Sequence, residues 1–293
     1  MTTASVLTDL IQLVPALAQQ QAPGGELYLF LKKLAKHEAE SAFGPSSTSR
    51  LVDFGPFGKI FFPYHEMGTV SSLNLFDLDE LIIFSFYWEN RKRYKNVADI
   101  GANIGLHSIL LSRCGFQVRS YEPDPGHYKI LKKNLAANKC ARVEAHNSAV
   151  SNEAATKEFV KILGNTTGSH LAGSKSNLYG KIERFPVKTE PIQEIMRWAD
   201  FVKIDAEGHE KDILLATRKE DWSGTESMVE VQNQDNAQAI FKHFKKIKVN
   251  LFSQKTNWQK VKSSDDMPNG YKEGSLFITG EGKMTYARSQ HGQ

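Results

Sequence analysis

The sequence predicts an α/β fold built on a mostly parallel sheet, and three observations carry that prediction. A short apolar run from Tyr94 to Ile100 meets Gly101, Asn103 and Gly105 and then an apolar stretch of helical length, Leu106 to Cys114, which reads as strand, tight turn, helix. Beyond it, runs of strand length alternate with amphipathic runs of helical length, the order that builds a parallel sheet with helices on both faces. Acidic residues stand where these strands end, at Asp99, Glu122 and Asp205. The carboxyl ends of parallel strands are where such sheets bind ligands.

At 293 residues the chain suits one large domain with a small appendage. The division expected is an N-terminal helical extension over 1–45 and the main domain over 46–293. With 40% hydrophobic and 24% charged residues the composition is that of an ordinary globular protein. The formal charge of +4 admits an anionic substrate without calling for nucleic acid. Cys114 and Cys140 fall at the ends of predicted helices and read as buried reduced thiols, with nothing to suggest a disulfide framework or a zinc site. Met1 to Gln21 lacks a basic leader and is interrupted by Asp9, Gln12 and Pro15, so it reads as neither signal peptide nor membrane span. No other window approaches about eighteen apolar residues. The expectation is a cytoplasmic protein with no membrane partner, in which the sequon at Asn165 carries no glycan.

Residues 5 to 19 place Val6, Leu10, Leu13 and Leu17 at helical spacing, and residues 26 to 38 repeat the pattern with Leu27, Phe30, Leu31 and Leu34. Ala22-Pro-Gly-Gly separates them, so they form a helical hairpin packed on the main domain, with a homodimer surface as the alternative. Gly44-Pro-Ser-Ser-Thr-Ser reads as a linker, and Arg50 to Tyr64 as two short strands around Gly55-Pro56. Residues 76 to 90 make an apolar helix through Leu78, Leu81, Ile82 and Phe86. After the glycine turn come a second strand, Phe116 to Tyr121, a helix over 126–138 burying Tyr128, Leu131 and Leu135, and a third strand, Arg142 to His146. Residues 155–163 and 182–189 read as an extra hairpin, joined by the polar stretch Gly164 to Ser176, too long for a simple turn. Trp198 to Ile204 is the fourth strand and Met228 to Gln232 the fifth; a helix over 235–246 carries Ile240, Phe241 and Phe244. Ile247, Val249 and Leu251 alternate as the sixth strand, Ser275 to Thr279 is the seventh, and the last dozen residues are polar and frayed.

The glycine turn is shaped to hold a ligand against bare backbone, because glycine allows close approach, asparagine tolerates left-handed conformations, and a helix N-terminus offers free N–H groups. The dinucleotide pattern G-x-G-x-x-G fails, since Asn103 and Leu106 replace its second and third glycines. Seventeen residues beyond Gly105, Glu122 stands where a carboxylate accepts hydrogen bonds from both ribose hydroxyls. Asp99 is placed to face the cationic amino group of an amino-acid-bearing nucleotide. NAD lacks that group and S-adenosylmethionine has it.

D-I-G-A-N-I-G at 99–105, Y-E-P-D-P at 121–125, N-S-A-V at 147–150 and V-K-I-D-A-E-G-H-E at 202–210 together resemble the FkbM-type family of S-adenosylmethionine-dependent methyltransferases, over roughly residues 50–280. The resemblance implies a class I methyltransferase fold of Rossmann-like type: a seven-stranded, mostly parallel sheet with helices on both faces, here behind the N-terminal extension. It also implies, usually, methylation of a hydroxyl group, on substrates that vary widely across the family. Cofactor contacts then fall on Asp99, Gly101, Ala102, Asn103, Gly105, Glu122 and Pro123, on Asn147, Ser148 and Ala149 along the adenine, and on Asp205. By analogy, Glu66 to Asn74 flanks the cofactor. The chain departs from the family pattern at Val187-Lys-Thr-Glu190, where an aspartate is expected.

Asp205, Glu207, His209 and Glu210 form the densest chemistry, at the tip of the fourth strand. Methyl transfer is an in-line displacement, so alignment supplies much of the catalysis, while an alcohol acceptor also needs its proton removed. His209 is the first candidate base, Asp205 the second and His107 the third, His107 reading equally well as a core-facing helix residue. Glu207, with Asn165, Thr166 and His170 of the polar stretch, is expected to contact the acceptor. Asp205, Glu207 and Glu230 offer oxygen ligands, but no tight spacing demands a metal and none is expected.

The leading reading is therefore an O-methyltransferase using S-adenosylmethionine on a sugar or other small hydroxylated metabolite. An RNA methyltransferase is the alternative, resting on the lysine-rich stretch 242–262 with Tyr94 and Trp258 as stacking residues; the mild net charge argues against nucleic acid. A non-catalytic nucleotide-binding module is the third, and the intact acidic cluster opposes it.

Overall fold

A computed structural model describes residues 6–47, 51–174 and 181–284. The chain opens with α1 (Val6–Leu13), tightened into a 3₁₀ turn over Val14–Gln20 where Pro15 removes a backbone donor, and α2 (Glu26–Phe43). The strands β1 (Val52–Asp53) and β2 (Lys59–Ile60) pair around Gly55–Phe57, as expected. Asp77 then caps α3 (Leu78–Glu89) by accepting the Leu78 N–H. The alternating region follows: β3 (Asn96–Ile100), α4 (Leu106–Arg113), β4 (Gln117–Tyr121), α5 (Pro125–Ala137), β5 (Val143–His146) and β6 (Ala149–Ser151). Next come β7 (Ala155–Ile162), β8 (His170–Leu171), β9 (Ile182–Pro191) and the short α6 (Ile192–Met196). The chain then runs through β10 (Phe201–Ile204), α7 (Glu210–Leu215), β11 (Glu226–Glu230), α8 (Gln234–Ile247), β12 (Asn250–Ser253), β13 (Gln259–Lys260) and β14 (Ser275–Thr279).

Among the described residues the main sheet runs β13-β12-β14-β11-β10-β3-β4-β5. β11, β10, β3, β4 and β5 are parallel, whereas β14 runs antiparallel between β11 and β12. These are the seven strands anticipated, and the two-residue β13 adds an eighth at the edge. The fourth, fifth and sixth strands start elsewhere than the apolar pattern suggests, Ile247 closing α8 rather than opening β12. Trp198 belongs to the turn before β10, where the Arg119 guanidinium lies 4.3 Å over its ring, and β11 begins at the buried Glu226.

The insertion is larger than a hairpin. β7 and β9 pair antiparallel as expected, but β6 joins β9 in parallel and β8 joins β7, making a four-stranded sheet. Strands of two or three residues are too short to show periodicity, which is why β6 and β8 escape the sequence reading. Of the polar stretch Gly164–Ser176, residues 175 and 176 lie outside the described residues, as do 48–50 of the linker and 285–293 of the tail.

Helices cover both faces of the main sheet. One buried cluster joins α1, α2, α3 and α4 through Leu7, Leu10, Tyr28, Leu31, Phe84 and Leu110; the other joins α6, α7 and α8 through Ile195, Ile213, Ile240 and Phe244. The hairpin thus buries Leu7, Leu10, Ile11, Tyr28 and Leu31 within its own chain, whereas Leu13 and Phe30 of the expected stripe turn outward with Leu29. Two sequence expectations are corrected here. Tyr94 and Trp258 are core residues rather than stacking platforms: Tyr94 stacks on Phe201 and its hydroxyl bonds Glu226, while the Trp258 indole donates to Gln21. Cys114 is buried, but Cys140 is only half-buried, and both are free thiols. No described helix is long and apolar enough to cross a membrane.

Candidate active site and cofactor cleft

The turn between β3 and α4 is left-handed at Gly101, Asn103 and Gly105, with φ of 76°, 51° and 95°. A Cβ on Gly101 would stand 1.7 Å from the carbonyl oxygen of Asp205, so only glycine lets the tips of β3 and β10 close on each other. The Gly101 and Ala102 N–H groups both donate to the Tyr121 carbonyl at 3.0 Å, which folds the turn over the tip of β4. There the Glu122 carboxylate accepts the Asn103 N–H and the Asp124 N–H, each at 2.8 Å. Each of its oxygens keeps a lone pair. Burial pushes its pKa up to about 8, against the opposing pull of those N–H groups. Beside it, the buried side-chain oxygen of Asn103 has no partner among the described residues.

Gly101, Asn103, Glu122 and Pro123 line a cleft together with Asp205, Glu207 and His209 and with Thr166, His170 and Leu171 of the insertion. On β10, Lys203 is directly opposite Asp99 in the parallel register, its ammonium 3.9 Å from Asp99 and 3.4 Å from Asp205. Burial works against that charge, yet Asp205 and Asp99, with Glu80 and Glu230, hold the Lys203 pKa above the usual lysine value. Asp205 Oδ2 meets Lys203, while its Oδ1 is buried without a partner among the described residues. Glu230 is pushed well up by burial and by the neighbouring carboxylates of Asp205 and Glu207.

His209 is held at both nitrogens. Nε2 lies 2.9 Å from the Ser151 hydroxyl, and Nδ1 lies 3.1 Å from that of Ser174 and 3.2 Å from Asp212. Burial lowers its pKa against the opposing pull of Asp212, and the ring bridges β6, the insertion and α7.

The structure brings together Gly101, Asn103, Glu122, Pro123, Ala149, Thr166, His170, Asp205, Glu207 and His209 along the cleft. It does not bring His107 there. That ring packs edge-on against Phe84 between α3 and α4, with Nδ1 2.9 Å from the Tyr87 hydroxyl and Nε2 3.0 Å from Glu80, so the helix-core reading holds. Asp99 also lies below the cleft, fully buried, accepting the Ser108 hydroxyl at 2.6 Å and facing Lys203. Ala102 and Gly105 shape the turn from behind, Asn147 ties down the carbonyls of Glu122 and Pro123, and the Ser148 hydroxyl donates to Glu190. Asn165 bridges to Gly68 instead of lining the cleft, so Glu66–Asn74 acts by clasping the insertion: Thr166 N–H donates to Met67 and Thr69 N–H to Gly164.

Sequence reasoning missed the cluster that seats the insertion. Asp124 caps α5 through Gly126 N–H and binds the Lys161 ammonium at 2.9 Å, and His127 Nε2 lies 3.0 Å from the Thr166 hydroxyl. The Asp124-Pro125 pair is a helix-start signal and marks the cap. Nothing local announces that Lys161, 37 residues away, would meet it.

A family model described as the methyltransferase FkbM domain matches residues 99–255, a span that takes in the glycine turn, Glu122, the insertion and the turn after β10. Among curated proteins the chain is similar to methyltransferase sdnD of Sordaria araneosa, 27% identical over 168 residues, covering 45% of this chain and 64% of that protein. It is also similar to methyltransferase 1 of Beauveria bassiana, 24% identical over 157 residues, covering 45% and 62%. The chain thus spans a little under two thirds of the length of both. Among solved structures it is similar to an O-methyltransferase from Bacillus cereus in complex with SAH, with 14% identity, 67% of this chain and 77% of that chain covered, and a TM-score of 0.35.

Proposed function

This chain belongs to the FkbM methyltransferase family, and we propose that it transfers a methyl group to a hydroxyl of a sugar or other small hydroxylated metabolite. Its fold is the class I methyltransferase arrangement of Rossmann-like type, and its cofactor is S-adenosylmethionine. When bound, that cofactor supplies a methyl carbon activated by sulfonium charge. The residues present fit it: the free lone pairs of Glu122 suit the paired hydroxyls of a ribose, the unpartnered Asn103 oxygen accepts a further donor, and the Gly101 backbone leaves room beside them.

The observation that carries the catalytic assignment is the buried, unpartnered Oδ1 of Asp205 at the end of β10. In this reading Asp205 Oδ1 accepts the hydroxyl proton of the acceptor, and Lys203 stabilises the carboxylate that does so. His209 is the weaker base, because both of its nitrogens already face hydroxyls. Glu207, Thr166 and His170 meet the acceptor, with Asn165 fixing the loop that carries two of them. The same reading divides the chain into a helical extension over 1–45 and a methyltransferase unit over 46–293, acting in the cytoplasm. In it the outward Leu13, Leu29 and Phe30 serve as a homodimer surface.

Incubation with methyl-labelled cofactor and a panel of sugars and hydroxylated metabolites tests the acceptor class by mass. Label on an amine or on RNA, with the hydroxyl panel unlabelled, would overturn it. Asp205→Asn is expected to lower turnover by about 10² to 10⁴ while cofactor affinity changes little, the usual worth of a general base. A folded variant turning over at the parent rate would move the role elsewhere.

A further inference from the structure

We infer that Glu210 and Asn236 are positioning residues of this cleft: together they hold the turn from Asp205 to His209 in the backbone shape that presents the Glu207 carboxylate beside Asp205. The inference rests on the reading of Glu207 as a residue of the methyl-transfer end, and it adds what fixes that residue in place.

Glu210 is fully buried, an uncommon place for a carboxyl group. Its carboxylate accepts the Ala206 N–H at 2.9 Å and the Gly208 N–H at 3.0 Å and 3.1 Å. Both donors precede α7, so the side chain, which also meets its own backbone N–H, reaches back to the turn. Asn236, buried on α8, completes the grip. Its amide donates to the Gly208 carbonyl at 3.0 Å and to Glu210 at 3.4 Å.

What they grip needs holding. Glu207 and Gly208 are successive left-handed residues, with φ of 53° and 103°, and only the second is glycine. A glutamate stays in that region only where its surroundings over-determine it. The turn leaves Glu207 lining the cleft with Asp205. An acidic residue on the open face of α7 would favour the helix dipole equally well, without a burial that pushes the Glu210 pKa up to about 8.

Calorimetric titration with S-adenosylhomocysteine and with sinefungin tests this without any acceptor, because sinefungin carries an amine where the donor carries its methyl group. In the parent protein sinefungin is expected to bind about tenfold tighter, the worth of one charge-assisted contact. Glu207→Gln and Glu210→Gln are each expected to cut that ratio about fivefold, and the double variant no further than Glu207→Gln alone, since Glu210 acts through Glu207. An unchanged ratio in Glu207→Gln would remove Glu207 from the methyl-transfer end, and the reading beneath the inference would fall. If Glu207→Gln lowers the ratio but a folded Glu210→Gln keeps it, or if the two effects add in the double variant, the positioning role is wrong. Asn236→Ser loosens the same carboxylate from outside the turn, so it reports even where Glu210→Gln does not fold. It should lose the ratio in the same way, and a parent ratio there would overturn the inference.

Discussion

Three carboxyl-bearing residues do different work in and beside the cleft, and their surroundings separate them. Glu122 meets two backbone N–H groups with capacity to spare, Asp205 meets an ammonium on one oxygen and no described residue on the other, and Glu210 is consumed by its own turn. Glu122 and Glu210 share a measurable consequence. Each holds a proton in the folded chain up to about pH 8, whereas the unfolded carboxyl releases it near its ordinary value of 4.5. Between those values the folded state binds more protons than the unfolded one, so stability should fall as pH rises. The expected slope is about 1 kcal/mol per pH unit for each group. Urea midpoints across that window should decline in the parent and decline less steeply in Glu122→Gln; a flat profile in the parent would contradict the assignment.

At the scale of elements, the cleft exists because two strand tips touch. The Gly101–Asp205 contact joins β3 to β10, and the cross-strand pair of Asp99 with Lys203 neutralises the charge that this closeness buries. Gly101→Ala forces a methyl into a carbonyl oxygen and a left-handed φ onto alanine. The expected loss is roughly 3 kcal/mol or more, combining backbone strain with overpacking. Chemical denaturation reads the stability, and titration of S-adenosylhomocysteine should show binding weakened beyond what instability explains. The insertion is held by backbone hydrogen bonds to Met67 and Thr69 and by side chains: Lys161 to Asp124, Thr166 to His127, and Ser151 and Ser174 to His209. It rests on the cleft through polar contacts that can part without unfolding the sheet below.

At the scale of the whole molecule, the N-terminal hairpin is tied in by buried polar contacts as well as by its apolar stripe. The Tyr28 hydroxyl donates to Asp79 on α3 at 2.6 Å, Gln254 donates to the same carboxylate, and Gln21 accepts the Trp258 indole. Burial raises the Asp79 pKa, so that carboxyl depends on these donors. Tyr28→Phe should therefore cost about 1 to 2 kcal/mol, the worth of one hydrogen bond to a buried charged group. The hairpin should not melt ahead of the sheet. Near-ultraviolet signals from the aromatic core and far-ultraviolet signals from the helices should trace one transition in parent and variant alike, and a separate early transition would show the hairpin to be an independent unit.

Local chemistry was enough to read the glycine turn, the seven strands, the helices that alternate with them, and the acidic tips at Glu122 and Asp205, because each is written in periodicity or in backbone constraint within a few residues. The resemblance carried by those same motifs led to the methyltransferase family and its cofactor. Where a side chain points was another matter. His107 and His209 stand eight and four residues past the acidic strand tips Asp99 and Asp205 and both read as candidate bases in sequence, yet one is sealed between α3 and α4 and the other is clasped by serines from β6 and the insertion. Asp99 looked ligand-facing until Lys203 appeared opposite it in register. Tyr94 and Trp258 looked like platforms and are core. Tertiary structure decided these, for a physical reason: burying a polar side chain requires partners, and those partners come from segments tens to hundreds of residues away, whose meeting no local pattern encodes.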